Sequence, residues 1–286
     1  MQSDNQTNRD IQELNLTVDT QRKKAIEAIM DGKVVAGHMR RVFGFWIDAS
    51  NTAAYKALLK IKGEQYGKKM SIMTTGSFIV PHIYINGVKK EYRKYVESPE
   101  MYSGVFGSIC HTILPIKLNS LRCFPEHVVS SSSFGTRKKF NVVYNLDPTG
   151  HPGMETFISQ LQGQGVIPAV TSMNPVLYPE ITNIQSAQHF LKSTLFDKDQ
   201  ILMRDMHPVR KDILGSFAQV HLIQGVIERD GHIPAKILGW MLNMEIDENK
   251  IKKHKYPHAS FDKIVNKIKK KDPLEIRRLI LKYIHE

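Results

Sequence analysis

A layered α/β fold with a basic helical extension is what this sequence predicts, on three observations. Short apolar runs alternate with stretches whose apolar residues recur at helical spacing. Several runs, "VFGFWID" among them, are apolar at consecutive positions, as strands buried on both faces are. The last 37 residues, from Lys250, hold twelve Lys or Arg against four Asp or Glu, a surplus of eight out of the chain's net +12.

The elements follow in order. "DTQRKKAIEAIMDGK" reads as a helix with Ala25, Ile26, Ile29 and Met30 on one face and a glycine at its stop. "VVAG" and "RVFGFWID" are strands, "NTAAYKALLKIKG" is a helix ending at Gly63, and "KKMSIMT" is a third strand. The alternation continues through "HPGMETFISQLQGQG", "VIPAVTS" and "AQVHLIQGVIER". The four-serine run of "VVSSSSFGTRKKF", before Phe134, reads as a loop.

In the tail, "SFDKIVNKIKKKDPLEIRRLILKYIHE" reads as two helices. Ser260 caps the first, and its apolar residues Phe261, Ile264, Val265 and Ile268 recur at i, i+3, i+4 and i+7. Asp272 caps the second, Pro273 opens it, and Leu274, Ile276, Leu279, Ile280, Tyr283 and Ile284 form its apolar side. Those stripes are expected to dock, leaving Lys263, Lys267, Lys269, Lys270, Lys271, Arg277 and Arg278 in water. The chain divides into a polar segment 1–22, an α/β domain 23–246 and a basic helical tail 247–286.

Composition sets limits on function. With 41% hydrophobic and 24% charged residues this is an ordinary globular composition, and no apolar run approaches the ~20 residues of a membrane helix. "MQSDNQTNRDIQELN" lacks the basic start and apolar run of a secretory signal, so a cytoplasmic location and no membrane partner are expected. Two cysteines, Cys110 and Cys123, are too few for a disulfide framework or a metal site, and the twelve histidines, His151 and His207 included, form no metal-ligand spacing. The Walker, dinucleotide, zincin and nucleophile-elbow motifs are absent. Chemistry then falls to dispersed polar groups at strand ends, where α/β sheets hold ligands, and the charge calls for a polyanionic partner or a very basic solvated surface.

Taken in order, "AIEAIMDGKVVA", "RVFGF", "NTAAYKALLKIKG", "KKMSIM", "FGTR", "GHP", "IPAVTSMN" and "GSFAQVHLIQGVIERDGHIPAKIL" resemble the YrdC-like threonylcarbamoyl-adenylate synthases over about three quarters of the chain, Lys23 to Leu238. The resemblance implies a three-layer α/β domain with a twisted mixed sheet and a basic groove. It also implies ATP with Mg²⁺, bicarbonate and an amino acid as ligands, and tRNA or double-stranded RNA as partner.

Residue by residue, the resemblance carries over Ser172 and Asn174 as the family's Ser-x-Asn, with Ser216, as nucleotide-binding groups. Lys62, Arg137 and Arg229 carry over as the charges facing the polyphosphate. Each has a plainer reading. Asn174, before Pro175, opens a turn; Lys62 is a solvated cation at a helix end; Arg229 pairs with Asp230 or Glu228. RNA binding by the tail would rest on Lys267, Lys269, Lys270, Lys271, Arg277 and Arg278, because clustered cations gain most from counterion release.

Departures from the family pattern bear on activity. Where the family reads Pro-Thr-x-Thr, this chain has His38, Met39, Arg40 and Arg41, and Glu64 stands for the Arg of Lys-x-Arg. Met39, Arg41 and Glu64 thus define a changed substrate pocket, and L-threonine is not expected to be the preferred amino acid. A charge reversed at about 4 Å from a phosphate costs up to ~8 kcal/mol at an effective dielectric near 20. Two functions stay open: a carbamoyl-adenylate-forming enzyme of tRNA modification, and an inactive module binding RNA or nucleotide. A third, a scaffold for a protein partner, is compatible with the same composition.

Overall fold

A computed structural model describes residues 11–39, 42–63, 67, 69–134, 138–174, 178–194, 200–204, 210, 213, 215–251, 261–268 and 271–285. In chain order the elements are β1 (Ile11–Asn15), α1 (Asp19–Met30), β2 (Val35–Met39), β3 (Val42–Asp48), α2 (Thr52–Lys62), β4 (Ser71–Met73), α3 (Gly76–Ile79), α4 (Pro99–Phe106), β5 (Cys110–Pro115), β6 (Ser130–Phe134) and β7 (Lys138–Leu146). There follow α5 (Pro152–Gly163), β8 (Pro168–Ser172), α6 (Ile184–Ser193), β9 (Gln200–Arg204), β10 (Ala218–His221), β11 (Val226–Arg229), α7 (Ala235–Leu242), β12 (Glu245–Ile246), α8 (Glu248–Ile251), α9 (Asp262–Ile268) and α10 (Pro273–His285).

The strands form one mixed sheet in the order β1-β9-β2-β3-β8-β4-β7-β5-β10-β11-β12, with β6 paired to β7. Helices cover both faces, so the architecture is a three-layer α/β sandwich. β3 displays the reason: Phe43, Phe45 and Ile47 enter one core while Val42 and Trp46 enter the other. Alternation by period two hides both sets, which is why the run reads as continuously apolar. Side chains of α1 and α5 fill the Trp46 side, and those of α2, α4, α7 and the tail helices fill the Phe45 side.

Two expectations are corrected. The serine run is strand β6, Ser130–Phe134, antiparallel to β7 in the register Ser131↔Asn141. Backbone pairing along β7 outweighs the low strand propensity of serine, and Ser132 Oγ meets His221 Nε2 at 2.8 Å. Residues placed in a polar leading segment also belong to the sheet, because β1 pairs in parallel with β9 and α1 begins at Asp19, ahead of the boundary expected at 23.

The tail docks through most of its apolar stripes, although Leu274, expected on the apolar side of the second helix, is 41% exposed. Phe261, Ile264, Ile268, Ile276, Ile280, Tyr283 and Ile284 are buried in the same core as α4 and α7. Asp272 Oδ1 caps α10, accepting from the N–H groups of Leu274 at 2.9 Å and Glu275 at 3.1 Å. Ser260 lies outside the described residues.

Candidate functional site

The cleft at the strand ends begins with β8, which lies between β3 and β4 in antiparallel register, Gly44↔Ser172 and Ser71↔Val170. Gly44 makes this approach possible. A Cβ there would lie 2.7 Å from the Thr171 carbonyl and 2.1 Å from Met39 Cε. The sequence "VFGF" therefore lets Met39 fold over β3 beside Ser172.

Lys62, the last residue of α2, reaches the same strand end. Its Nζ donates to the Ser172 carbonyl at 2.5 Å and to Thr171 Oγ1 at 3.3 Å, and the side chain is 3% exposed. It is not the solvated helix-end cation of the plainer reading. Gly63, in the left-handed region at φ 64°, closes the helix and turns the chain away.

Ser216 and Phe217 lead into β10, and Arg229 ends its antiparallel partner β11. The guanidinium donates through Nε and Nη2 to the Phe217 carbonyl at 3.0 and 2.6 Å, with Nη2 3.5 Å from Ser216 Oγ. The carboxylates named for Arg229 have other hydrogen bonds: Glu228 pairs with Lys250, and Asp230 accepts from the Ala235 N–H at 2.8 Å. A Cβ at Gly231 would lie 2.1 Å from the Ala218 nitrogen, so the turn after Arg229 requires glycine to pack onto the start of β10.

These groups converge on a cleft of about 140 Å³ lined by Met39, Ser172, Ser216 and Arg229, together with His111, Lys69, Thr171, Phe217 and Glu180. Four of the residues singled out from sequence are thus brought together, and Lys62 holds their strand end from behind. Asn174 is not in the lining; its Nδ2 donates to the Tyr178 carbonyl at 2.7 Å, as a turn-opening residue would. Arg41, Glu64, Arg137, Lys269 and Lys270 lie outside the described residues. Among the described residues no group of three His, Cys, Asp or Glu is placed to hold a metal ion.

Sequence reasoning missed His111. It stands in the apolar run "CHTILP" of β5, is 9% exposed, and stacks on Phe217 with ring centroids 5.6 Å apart and planes at 26°. Burial, with Arg229 and His232 adding to it, pushes its pKa down to about 3. The signal was present as a titratable side chain inside a strand apolar on both sides of it.

On the tail, Lys267, Lys271 and Arg278 are exposed, with Lys271 paired to Glu275. Arg277 corrects the expectation of a solvated cation. It is partly buried and donates through Nε to the Gly107 carbonyl at 2.8 Å and through Nη2 to the Thr149 carbonyl at 2.6 Å. The helix register that buries Ile276, Ile280 and Ile284 brings Arg277 against the turn after β7, where carbonyl acceptors await it.

Neither a family model nor a curated protein matches the chain. Solved structures do. The fold is similar to that of P. abyssi Sua5 complexed with L-threonine, at TM-score 0.58 and 18% identity over 83% of this chain and 62% of that one. A double-substituted form of the same protein gives TM-score 0.58 and 18% identity over 83% and 65%. E. coli YciO gives TM-score 0.52 and 14% identity over 74% of this chain and 91% of the other. The matches span less than two thirds of each Sua5 chain. The three-layer α/β fold is the YrdC-like one, with C-terminal helices added to it. No helix among the described residues is long and apolar enough to cross a membrane.

Proposed function

We propose that this protein is a divergent YrdC-like nucleotide-binding protein that holds a small amino acid in the cleft beside ATP and forms a carbamoyl-adenylate for tRNA modification. The observation that carries the reading is the convergence of Ser172, Ser216 and Arg229, from three separate segments, on one cleft. A hydroxyl pair with a guanidinium suits anionic oxygens. The P. abyssi Sua5 structure holding L-threonine makes an amino acid the natural occupant for a cleft of this size.

ATP and Mg²⁺ are part of the proposal, and the donor set fits them. Mg²⁺ carried by phosphates needs few protein ligands, so a carboxylate cluster is not required. When bound, the nucleotide supplies the electrophilic α-phosphorus and the pyrophosphate leaving group. This chain's residues position and neutralise. Arg229, held in plane by the Phe217 carbonyl, presents fixed positive charge to the ligand's anionic oxygens; Ser172 and Ser216 orient them; Lys62 fixes the β8 end on which Ser172 stands. Tail cations Lys267, Lys271 and Arg278 would add non-specific attraction for RNA.

A second reading, an inactive module binding nucleotide or RNA, is favoured by one feature: the Lys62 ammonium is buried and donates to the Ser172 carbonyl and the Thr171 hydroxyl, a structural use of the charge. The test is pyrophosphate release by the full chain with ATP, MgCl₂, bicarbonate and an amino acid, alongside ATP binding. Release that falls roughly a hundredfold in Arg229→Met supports the enzyme. Arg229-dependent ATP binding without release supports the second reading, and release or binding unaltered in Arg229→Met defeats both.

A further inference from the structure

We propose that Arg277, on the tail helix α10, is a positioning residue for the strand-end cleft: it ties the turn that enters β5 to the turn that leaves β7, and so fixes where His111, Phe217 and Arg229 stand. The inference rests on the reading that the cleft holds a nucleotide through Arg229.

The guanidinium meets carbonyls from two separate segments. Its Nε donates to Gly107 at 2.8 Å and its Nη2 to Thr149 at 2.6 Å. A rigid fork that serves both acceptors at once sets the distance between them. The α/β domain is shaped to admit it: a Cβ at Gly107 would lie 2.8 Å from Arg277 Nη2, and one at Gly150 2.7 Å from the same atom. Asp147, 1% exposed, braces the turn beside it, accepting from Ser103 Oγ at 2.6 Å and from the Thr149 N–H at 2.8 Å.

Between these ties stands Ser108, with φ at 60°. A residue other than glycine keeps that left-handed conformation only where its surroundings impose it. The Ser108 N–H donates to the Asp147 carbonyl at 2.7 Å and its Oγ to the Pro148 carbonyl at 2.9 Å. Both acceptors belong to the turn that Arg277 grips at Thr149. After Ser108 and Ile109 comes β5, whose Cys110 and His111 pair with Ala218 and Gln219 of β10. His111 stacks on Phe217 with ring centroids 5.6 Å apart, and the Phe217 carbonyl accepts from both Nε and Nη2 of Arg229. His111, Phe217 and Arg229 all line the cleft. Every link from Arg277 to it is thus a hydrogen bond, a stretch of backbone or a ring stack.

Mg-ATP binding to the full chain, read by calorimetry, tests the proposal together with the ring signals of His111 and Phe217 read by NMR. Arg277→Met keeps the reach of the side chain without its donors; it is expected to weaken Mg-ATP binding about tenfold and to move both ring signals. Arg277→Lys keeps a donor without the fork and is expected to recover part of the loss, and it carries the test where Arg277→Met does not fold. Ile280→Val thins the same seam while leaving both carbonyl contacts in place, and is expected to match the wild type in affinity and ring signals. Adding Arg277→Met to Arg229→Met is expected to weaken binding no further than Arg229→Met alone, because the one acts through the other. Wild-type affinity in a folded Arg277→Met, equal weakening in Ile280→Val, or additive losses in the double variant overturn the proposal. A wild type that binds no Mg-ATP defeats the nucleotide reading instead, and the ring signals then decide the positioning: unmoved in Arg277→Met, they overturn it.

Discussion

At the tail seam, Arg277 donates to the carbonyls of Gly107 and Thr149 while Ile276, Ile280 and Ile284 fill the core around it; at the cleft, Arg229 and Lys62 donate to the carbonyls of Phe217 and Ser172 in the same manner. The two regions share their means of burying a cation and differ in what is left over. The seam is filled by apolar side chains. The cleft retains an open volume of about 140 Å³ whose lining includes three serines, Ser71, Ser172 and Ser216, and the Arg229 side chain. Matched burial marks structure, and polar lining beside open space marks a place for a ligand.

The strongest way to break that contrast is to loosen the seam. Ile280 is fully buried, so Ile280→Ala is expected to cost about 3–4 kcal/mol in urea unfolding, with a single transition. Two separate transitions, one for the tail and one for the sheet, would refute the shared core. Deletion of the tail is for the same reason expected to destabilise the whole unit.

Acid sharpens the comparison from the side of the cleft. His111 and His221 have folded pKa values of about 3 and 4, both below the ordinary 6.5, and both are neutral when folded. A depressed histidine contributes stability that is complete above about pH 6.5 and is lost as the pH falls through the window toward 4 and then 3, where the unfolded chain takes up the proton first. At pH 5 the loss is about 2 kcal/mol for each. Urea unfolding between pH 7 and 5 is expected to show this slope, and His111→Phe to remove about half of it. An unchanged slope would mean that another group governs the acid limb.

The smallest effect lies on the tail's exposed face. Combined substitution of Lys267, Lys271 and Arg278 by Ala is expected to change stability by no more than about 0.5 kcal/mol, because exposed charges and their pairs contribute little. The same variant is expected to bind RNA more weakly and with a shallower salt dependence in filter binding. Intact RNA affinity would move the interface away from the tail.

Much of the layered sheet could be read directly. "VFGFWID" and "PAVTS" carry their burial on both faces in the string itself, and "DPLEIRRLILKYI" carries the cap and the apolar stripe of α10. β6 could not, since a serine run becomes a strand only when β7 offers its backbone. Met39, Ser172, Ser216 and Arg229 were each legible as residues that resemble a known pattern, while their meeting in one cleft was not.

What the sequence by itself determined was local: period-two and period-3.6 burial, the Asp272 cap, the glycine stop after α2 and the concentration of charge in the tail. Only the tertiary structure decided which polar groups would be used up and which left open. Arg277 and Arg278 are neighbours of one residue type, yet helix rotation puts the first against two carbonyls and leaves the second in water. His111 and His221 lie on adjacent strands, yet one finds Ser132 and the other faces a cleft. Hydrogen-bond partners separated by 89 residues, as Ser132 and His221 are, depend on sheet order and register, which no short stretch of chain encodes.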